Sequence, residues 1–172
     1  MPLLTIVFGF CDVKLLVLGA INHAGAGCAC PEGAFLKALL RHTILQRKEV
    51  VIVDLAAGLE FMGRASVQGI DMLVLIVEPG GRSIETANKM GQMAEELGIR
   101  HVGAIANKIT EPEQVDLIQS QLGNISLLCS LNYSRFLQEA DMRRKPVFNI
   151  DKQVMEELEH AKQRMEKLLY DV

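Results

Sequence analysis

The chain has 172 residues, 49% hydrophobic and 23% charged, with a formal net charge of −3; that is enough sequence for one compact core and no basic excess to hold a nucleic-acid backbone. It has no Trp and only two Tyr, which leaves little for base stacking. No stretch approaches the ~18 apolar residues of a membrane span, and the apolar run 2–10 has no basic leader and meets Asp12 and Lys14 at once, so a cytoplasmic protein with its four Cys reduced is expected.

In chain order, residues 3–8 and 13–18 read as strands. A parallel crossover takes a dozen residues or more, so if both strands form they pair as an antiparallel hairpin or not at all. The run Gly27-Cys28-Ala29-Cys30-Pro31 comes next. In extended backbone, residues two apart point to the same side, so Cys28 and Cys30 can present both sulfurs to one ion. That is half of a tetrahedral four-thiolate site, which a two-fold axis would complete with the same pair from a second copy. Such a site suits Zn²⁺ and accepts Ni²⁺. The plain alternative is two small apolar residues packed under a helix start. Pro31 suits a first helical position, and Phe35, Leu36, Leu39, Leu40 and Ile44 follow at helical spacing.

The run Val50-Val51-Ile52-Val53 reads as a strand ending in Asp54. A carboxylate at the carboxyl edge of a sheet can hold Mg²⁺ or its water shell, and Gly58 can bring a backbone N–H to a terminal phosphate. A helix-capping Asp is the competing reading. Residues 72–77, 102–106 and 125–129 are nearly continuous apolar runs, as in parallel strands covered on both faces. Between them, Ser83 is expected to cap a helix through Ile84, Ala87, Met90, Ala94 and Leu97 that ends at Gly98, and Pro112 opens another toward Leu122 and Gly123. A last helix places Val154, Met155, Leu158, Ala161, Met165 and Leu168 on one face; residues 151–171 carry six acids against four bases, no attraction for anionic lipid. Cys11 and Cys129 sit beside apolar runs and read as buried, inert thiols. This alternation predicts an α/β fold, a doubly wound and mainly parallel sheet with flanking helices, in one domain over 1–172 with 1–11 atypical.

Three strings together carry a resemblance: Gly25-Ala26-Gly27-Cys28-Ala29-Cys30-Pro31-Glu32-Gly33, the segment 54–60, and Val77-Glu78-Pro79-Gly80-Gly81-Arg82-Ser83-Ile84-Glu85-Thr86-Ala87. They are similar to the CooC-type nickel-insertion ATPases that mature carbon monoxide dehydrogenase, within the MinD/ParA group of P-loop NTPases. The likeness covers residues 12–172 and resembles the C-terminal two-thirds of such a protein. It implies an incomplete P-loop NTPase fold that binds ATP or ADP with Mg²⁺. Asp54 would be the Walker B carboxylate, and Ala57 and Gly58 the switch that senses the γ-phosphate. Asn107 and Lys108, placed after a strand, resemble the position that reads the adenine edge, where the Asn amide offers a donor and an acceptor. Cys28 and Cys30 would bind Zn²⁺ or Ni²⁺ in a homodimer, with a nickel enzyme such as carbon monoxide dehydrogenase as client and neither nucleic acid nor membrane as partner. Leu131-Asn132-Tyr133 lacks the proline usual in relatives, so the resemblance assigns it no residue.

One departure stands out: no G-x-x-x-x-G-K-[ST] string occurs in the sequence. That loop's backbone cradle and lysine carry most of the charge stabilisation in phosphoryl transfer, so no ATPase turnover is expected from these residues. Without the phosphate-loop strand its neighbours need a substitute, either residues 3–8 or a partner, or else the chain aggregates. Two other readings stay open: a non-catalytic metal-binding or interaction module that dimerises through the thiol pair, and a partition-type ATPase fragment.

Overall fold

The computed structural model describes residues 5–8, 14–17, 50–55, 62, 69–147 and 151–170. The chain divides into two compact units, Met1–Val67 and Gln68–Val172.

In the first unit, β1 (Thr5–Phe8) and β2 (Lys14–Val17) pair antiparallel, from Thr5 opposite Val17 to Phe8 opposite Lys14. The short connection dictates this hairpin, because a parallel pair needs a crossover. The strand expected over 50–55 does not form: these residues have no regular structure, and Val50 and Ile52 are 88% and 89% exposed. An apolar run becomes a strand only where its N–H and C=O groups find a ladder, and among the described residues this run has none. The helix expected after Pro31 lies outside the described residues.

The second unit is β3 (Met72–Val77), α1 (Gly81–Glu96), β4 (His101–Ile109), α2 (Glu113–Gln121), β5 (Ser126–Asn132), α3 (Arg135–Met142) and α4 (Lys152–Tyr170). Its sheet is parallel in the order β3-β4-β5. Right-handed crossovers that step in one direction place α1 and α2 on the same face. Asn88 of α1 ties them there, its Nδ2 donating to Gln121 O at 2.9 Å and its Oδ1 accepting from Gly123 N at 3.0 Å. A core cluster joins Ile105 and Leu128 of the sheet to Ala161 of α4, with Val74, Leu131 and Met165 around it.

Local chemistry explains the helix ends, with one correction. Ser83 is the third residue of α1 rather than its cap; its Oγ accepts the N–H of Glu78 at 3.0 Å and fixes the turn out of β3. Gly98 closes α1 at φ +74°, a conformation that costs a Cβ-bearing residue about 1 kcal/mol. At α3, Ser134 Oγ accepts from Leu137 N, and Asp151 Oδ1 accepts from Gln153 N and Val154 N at the start of α4.

The β4–β5 ladder contains two irregularities that cancel. Leu127 pairs with Ala104 but Cys129 with Ile105, so β5 carries an extra residue at Leu128. Ala106 then pairs with Ser130 but Ile109 with Asn132, so β4 carries an extra residue at Asn107 or Lys108. A lone one-residue slip would send every later side chain to the wrong face. The second bulge restores the register. Gly103 makes room for the first: a Cβ there would lie 2.7 Å from Leu128 Cδ1 and 2.9 Å from Met72 Cε.

Candidate functional site

In open α/β sheets, ligands bind beyond the carboxyl ends of the strands. In the second unit that edge carries Glu78 after β3, Asn107 and Lys108 in the β4 bulge, and Asn132 and Tyr133 at the end of β5.

The bulge gives the edge its shape. Lys108 lies at φ +58°, one of two described non-glycine residues with positive φ. A non-glycine residue there costs about 1 kcal/mol or more, and such positions persist where the surroundings fix them. Here an ion pair helps, because Lys108 Nζ meets Glu78 Oε1 at 2.6 Å and spans the ends of β4 and β3. The hydrogen bond to Glu78, then its charge, raises the Lys108 pKa above the ordinary lysine value. Both side chains are more than half exposed, so solvent screens the pair and its role is geometric.

Beside the bulge lies an open cleft of about 690 Å³, lined by Thr110, Glu111, Pro112, Ser130, Asn132 and Tyr133 among others. Its walls are tied down. Gln114 Oε1 accepts from Thr110 N at 2.9 Å, Tyr133 N donates to Ile109 O at 2.8 Å, and Tyr133 Oη donates to Gln138 Oε1 at 2.5 Å. Asn107 and Lys108 stand next to this cleft on β4 rather than among its lining residues. The segment to which the sequence assigned no role, Asn132-Tyr133, supplies two of the walls.

Asp54 is exposed at the end of the unpaired run 50–55, in the first unit. Ala57, Gly58, Cys28 and Cys30 lie outside the described residues. Among the described residues, no group of three or more His, Cys, Asp or Glu side chains comes together to hold a metal ion. Cys129 is half-buried, and burial first, with Glu157 second, pushes its thiol pKa up, as suits an inert packed thiol. No helix among the described residues is long and apolar enough to cross a membrane.

Sequence reasoning missed Glu78 as the partner of Lys108. The signal was present: Glu78 follows the run Leu73-Val74-Leu75-Ile76-Val77 as Asp54 follows Val50-Val51-Ile52-Val53, the same pattern of an acid after an apolar run.

Three relatives are similar to this chain in sequence. The carbon monoxide dehydrogenase accessory protein CooC of Rhodospirillum rubrum is 43% identical over 129 residues, which are 75% of this chain and 49% of that protein. An uncharacterized ATP-binding protein of Methanocaldococcus jannaschii is 36% identical over 151 residues, 86% of this chain and 58% of the relative. The light-independent protochlorophyllide reductase iron-sulfur ATP-binding protein of Halorhodospira halophila is 27% identical over 145 residues, 81% and 48% of the two chains. The chain thus spans about half the length of the curated relatives it matches. No protein-family model matches it.

Proposed function

Because the chain belongs to the CooC-like family of ATP-binding proteins, we propose that it serves nickel-enzyme maturation, with a nucleotide at the carboxyl edge of its sheet and a metal ion held between two copies by Cys28 and Cys30. The observation that carries this reading is the 43% identity to the R. rubrum accessory protein over three quarters of the chain.

The residues present fit a nucleotide at its base end. Asn107 sits in a bulge at the carboxyl end of β4, beside an open cleft, where a planar amide can pair with a base edge. Lys108, pinned by Glu78, fixes the bulge that aims Asn107. Asp54 is an exposed carboxylate of the kind that holds Mg²⁺ through its water shell, and Ala57-Gly58 would offer backbone N–H to the terminal phosphate. In a relative with an intact phosphate loop, Mg²⁺-ATP would supply the phosphoanhydride whose hydrolysis resets the dimer; these residues would supply only part of that cycle. The 172 residues contain no lysine-bearing phosphate loop, so these groups alone bind nucleotide weakly and do not turn it over. Nickel or zinc is cargo here, held by four thiolates and handed to a client such as carbon monoxide dehydrogenase.

Light scattering and nucleotide titration test the two halves separately. The parent chain should double in mass on adding Zn²⁺ or Ni²⁺, and the Cys28→Ser/Cys30→Ser variant should not. A parent indifferent to metal ends the metal reading. ATP with Mg²⁺ should bind in the millimolar range with no turnover, and Asn107→Ala should abolish that binding; unchanged binding in Asn107→Ala removes the base-reading role.

A further inference from the structure

In the order β3-β4-β5, the outer row of backbone groups on β5 faces no strand among the described residues. Two side chains of α4 occupy that row. Arg164 Nη1 donates to Leu127 O at 3.1 Å and to Leu128 O at 2.9 Å. Glu157 accepts from Asn132, Oε2 from the backbone N–H at 3.4 Å and Oε1 from Nδ2 at 3.3 Å. Successive carbonyls of a regular strand point to opposite sides, so one guanidinium nitrogen cannot ordinarily meet two in a row. The extra residue at Leu128 turns both outward together. Glu157 and Arg164 are two helical turns apart, about 10 Å along α4, and Leu128 and Asn132 are about 13 Å apart along β5, so helix and strand match in length. One carboxylate and one guanidinium thereby cap the strand near its two ends. Between them Cys129 and Ser130 border an open cleft of about 690 Å³, shared with His160 and Gln163.

We propose that Arg164 and Glu157 are an edge guard, which keeps the open side of β5 from adding a strand of a second copy of this chain. An unpaired edge is a ready template for another chain, and an inward-turned charge or a bulge is how folded sheets blunt it. Here both devices meet at one point. An incoming strand must break charge-assisted hydrogen bonds, stronger than the amide bonds it would form in their place, and must desolvate an arginine left without acceptors. The occupant excluded is a second copy because every copy carries the same β5 edge, strandless among the described residues, with the same spacing of donors and acceptors.

Sedimentation or light scattering of the full 172-residue chain, with a chelator present so that metal-linked dimerisation is silent, tests the guard. Arg164 is exposed on α4, so Arg164→Ala should fold. It should self-associate about tenfold more strongly than the parent, the equivalent of about one hydrogen bond left unmade. Glu157→Ala should do so to a smaller degree. Adding Ser126→Lys, a charge on the exposed end of the same strand, should return Arg164→Ala to the parent's mass. A folded Arg164→Ala that keeps the parent's mass overturns the guard, and so does association that Ser126→Lys does not reverse. If Arg164→Ala does not fold, Glu157→Ala decides by the same readout.

Discussion

Two six-residue runs of this chain, 50–55 and Met72–Val77, are both rich in aliphatic residues, the first with Asp54 as its one charge, and meet opposite fates. Every residue of the second pairs with β4, from Met72 opposite His101 to Val77 opposite Ala106, and Leu73, Leu75 and Val77 are buried. The first has no ladder among the described residues, and Val50 and Ile52 stand almost fully in water. A strand is therefore a property of a pair of segments rather than of one run. Hydrophobicity makes burial favourable, but only a neighbour with free N–H and C=O groups at the right spacing makes it possible.

The sharpest way to break this comparison is to cut one side chain from each run. Leu75→Ala removes a 5%-exposed side chain from under the sheet and should destabilise the second unit by about 2–5 kcal/mol. Ile52→Ala removes one that is 89% exposed and should fall within about 0.5 kcal/mol of the parent. Urea unfolding followed by far-ultraviolet circular dichroism reads both units, and tyrosine fluorescence reads the second alone, because the chain's two tyrosines, Tyr133 and Tyr170, both belong to it. An Ile52→Ala loss as large as that of Leu75→Ala would mean that the first run is paired and covered in solution.

A smaller effect tests whether the paired region depends on its bulge. Gly103→Ala places a Cβ 2.7 Å from Leu128 Cδ1 and 2.8 Å from its Cγ, and Leu128 is 1% exposed with nowhere to go. The overpacking should cost about 1–3 kcal/mol. Leu128→Val in the same chain should recover part of it, a favourable coupling in the double-mutant cycle. Additive losses would show that Leu128 does not press on Gly103.

How far the sequence could be read follows from the same logic. The strands read at 72–77, 102–106 and 125–129 were legible because their neighbours are in the chain at crossover distance, and the helices between them follow a clean apolar period, although β4 and β5 run on to Ile109 and Asn132. The failure at 50–55 came from reading burial off composition when pairing lay elsewhere. The bulges left almost no trace, since one extra residue changes neither composition nor period; only Gly103, opposite the first, hinted at a close approach. Asn107 and Lys108 could be named from resemblance, but the positive φ of Lys108 and its hold on Glu78 could not. Glu157 and Arg164 looked like any wet face of a helix, because their partners lie 25 and 36 or 37 residues away.

The smallest effect concerns a joint within the well-paired unit, where two helix caps hold each other. Ser134 Oγ donates to Asp151 Oδ2 at 2.6 Å while it accepts from Leu137 N, and Asp151 Oδ1 caps α4. Ser134→Ala removes the cap of α3 and should cost about 1 kcal/mol. The Ser134 hydroxyl first, with the Val154 and Gln153 N–H groups adding to it, holds the Asp151 pKa below the ordinary carboxylate value. A depressed carboxylate contributes stability that is fully present above its unfolded pKa, about 4, and is lost as pH falls through the lower folded value. Asp151→Asn keeps an acceptor for the cap but has nothing to titrate. Its stability deficit against the parent should therefore be constant from neutral pH down to about 5 and shrink below about 4. A deficit that stays constant to pH 3 would show that the Ser134 hydroxyl, rather than the charge it stabilises, is what joins α3 to α4.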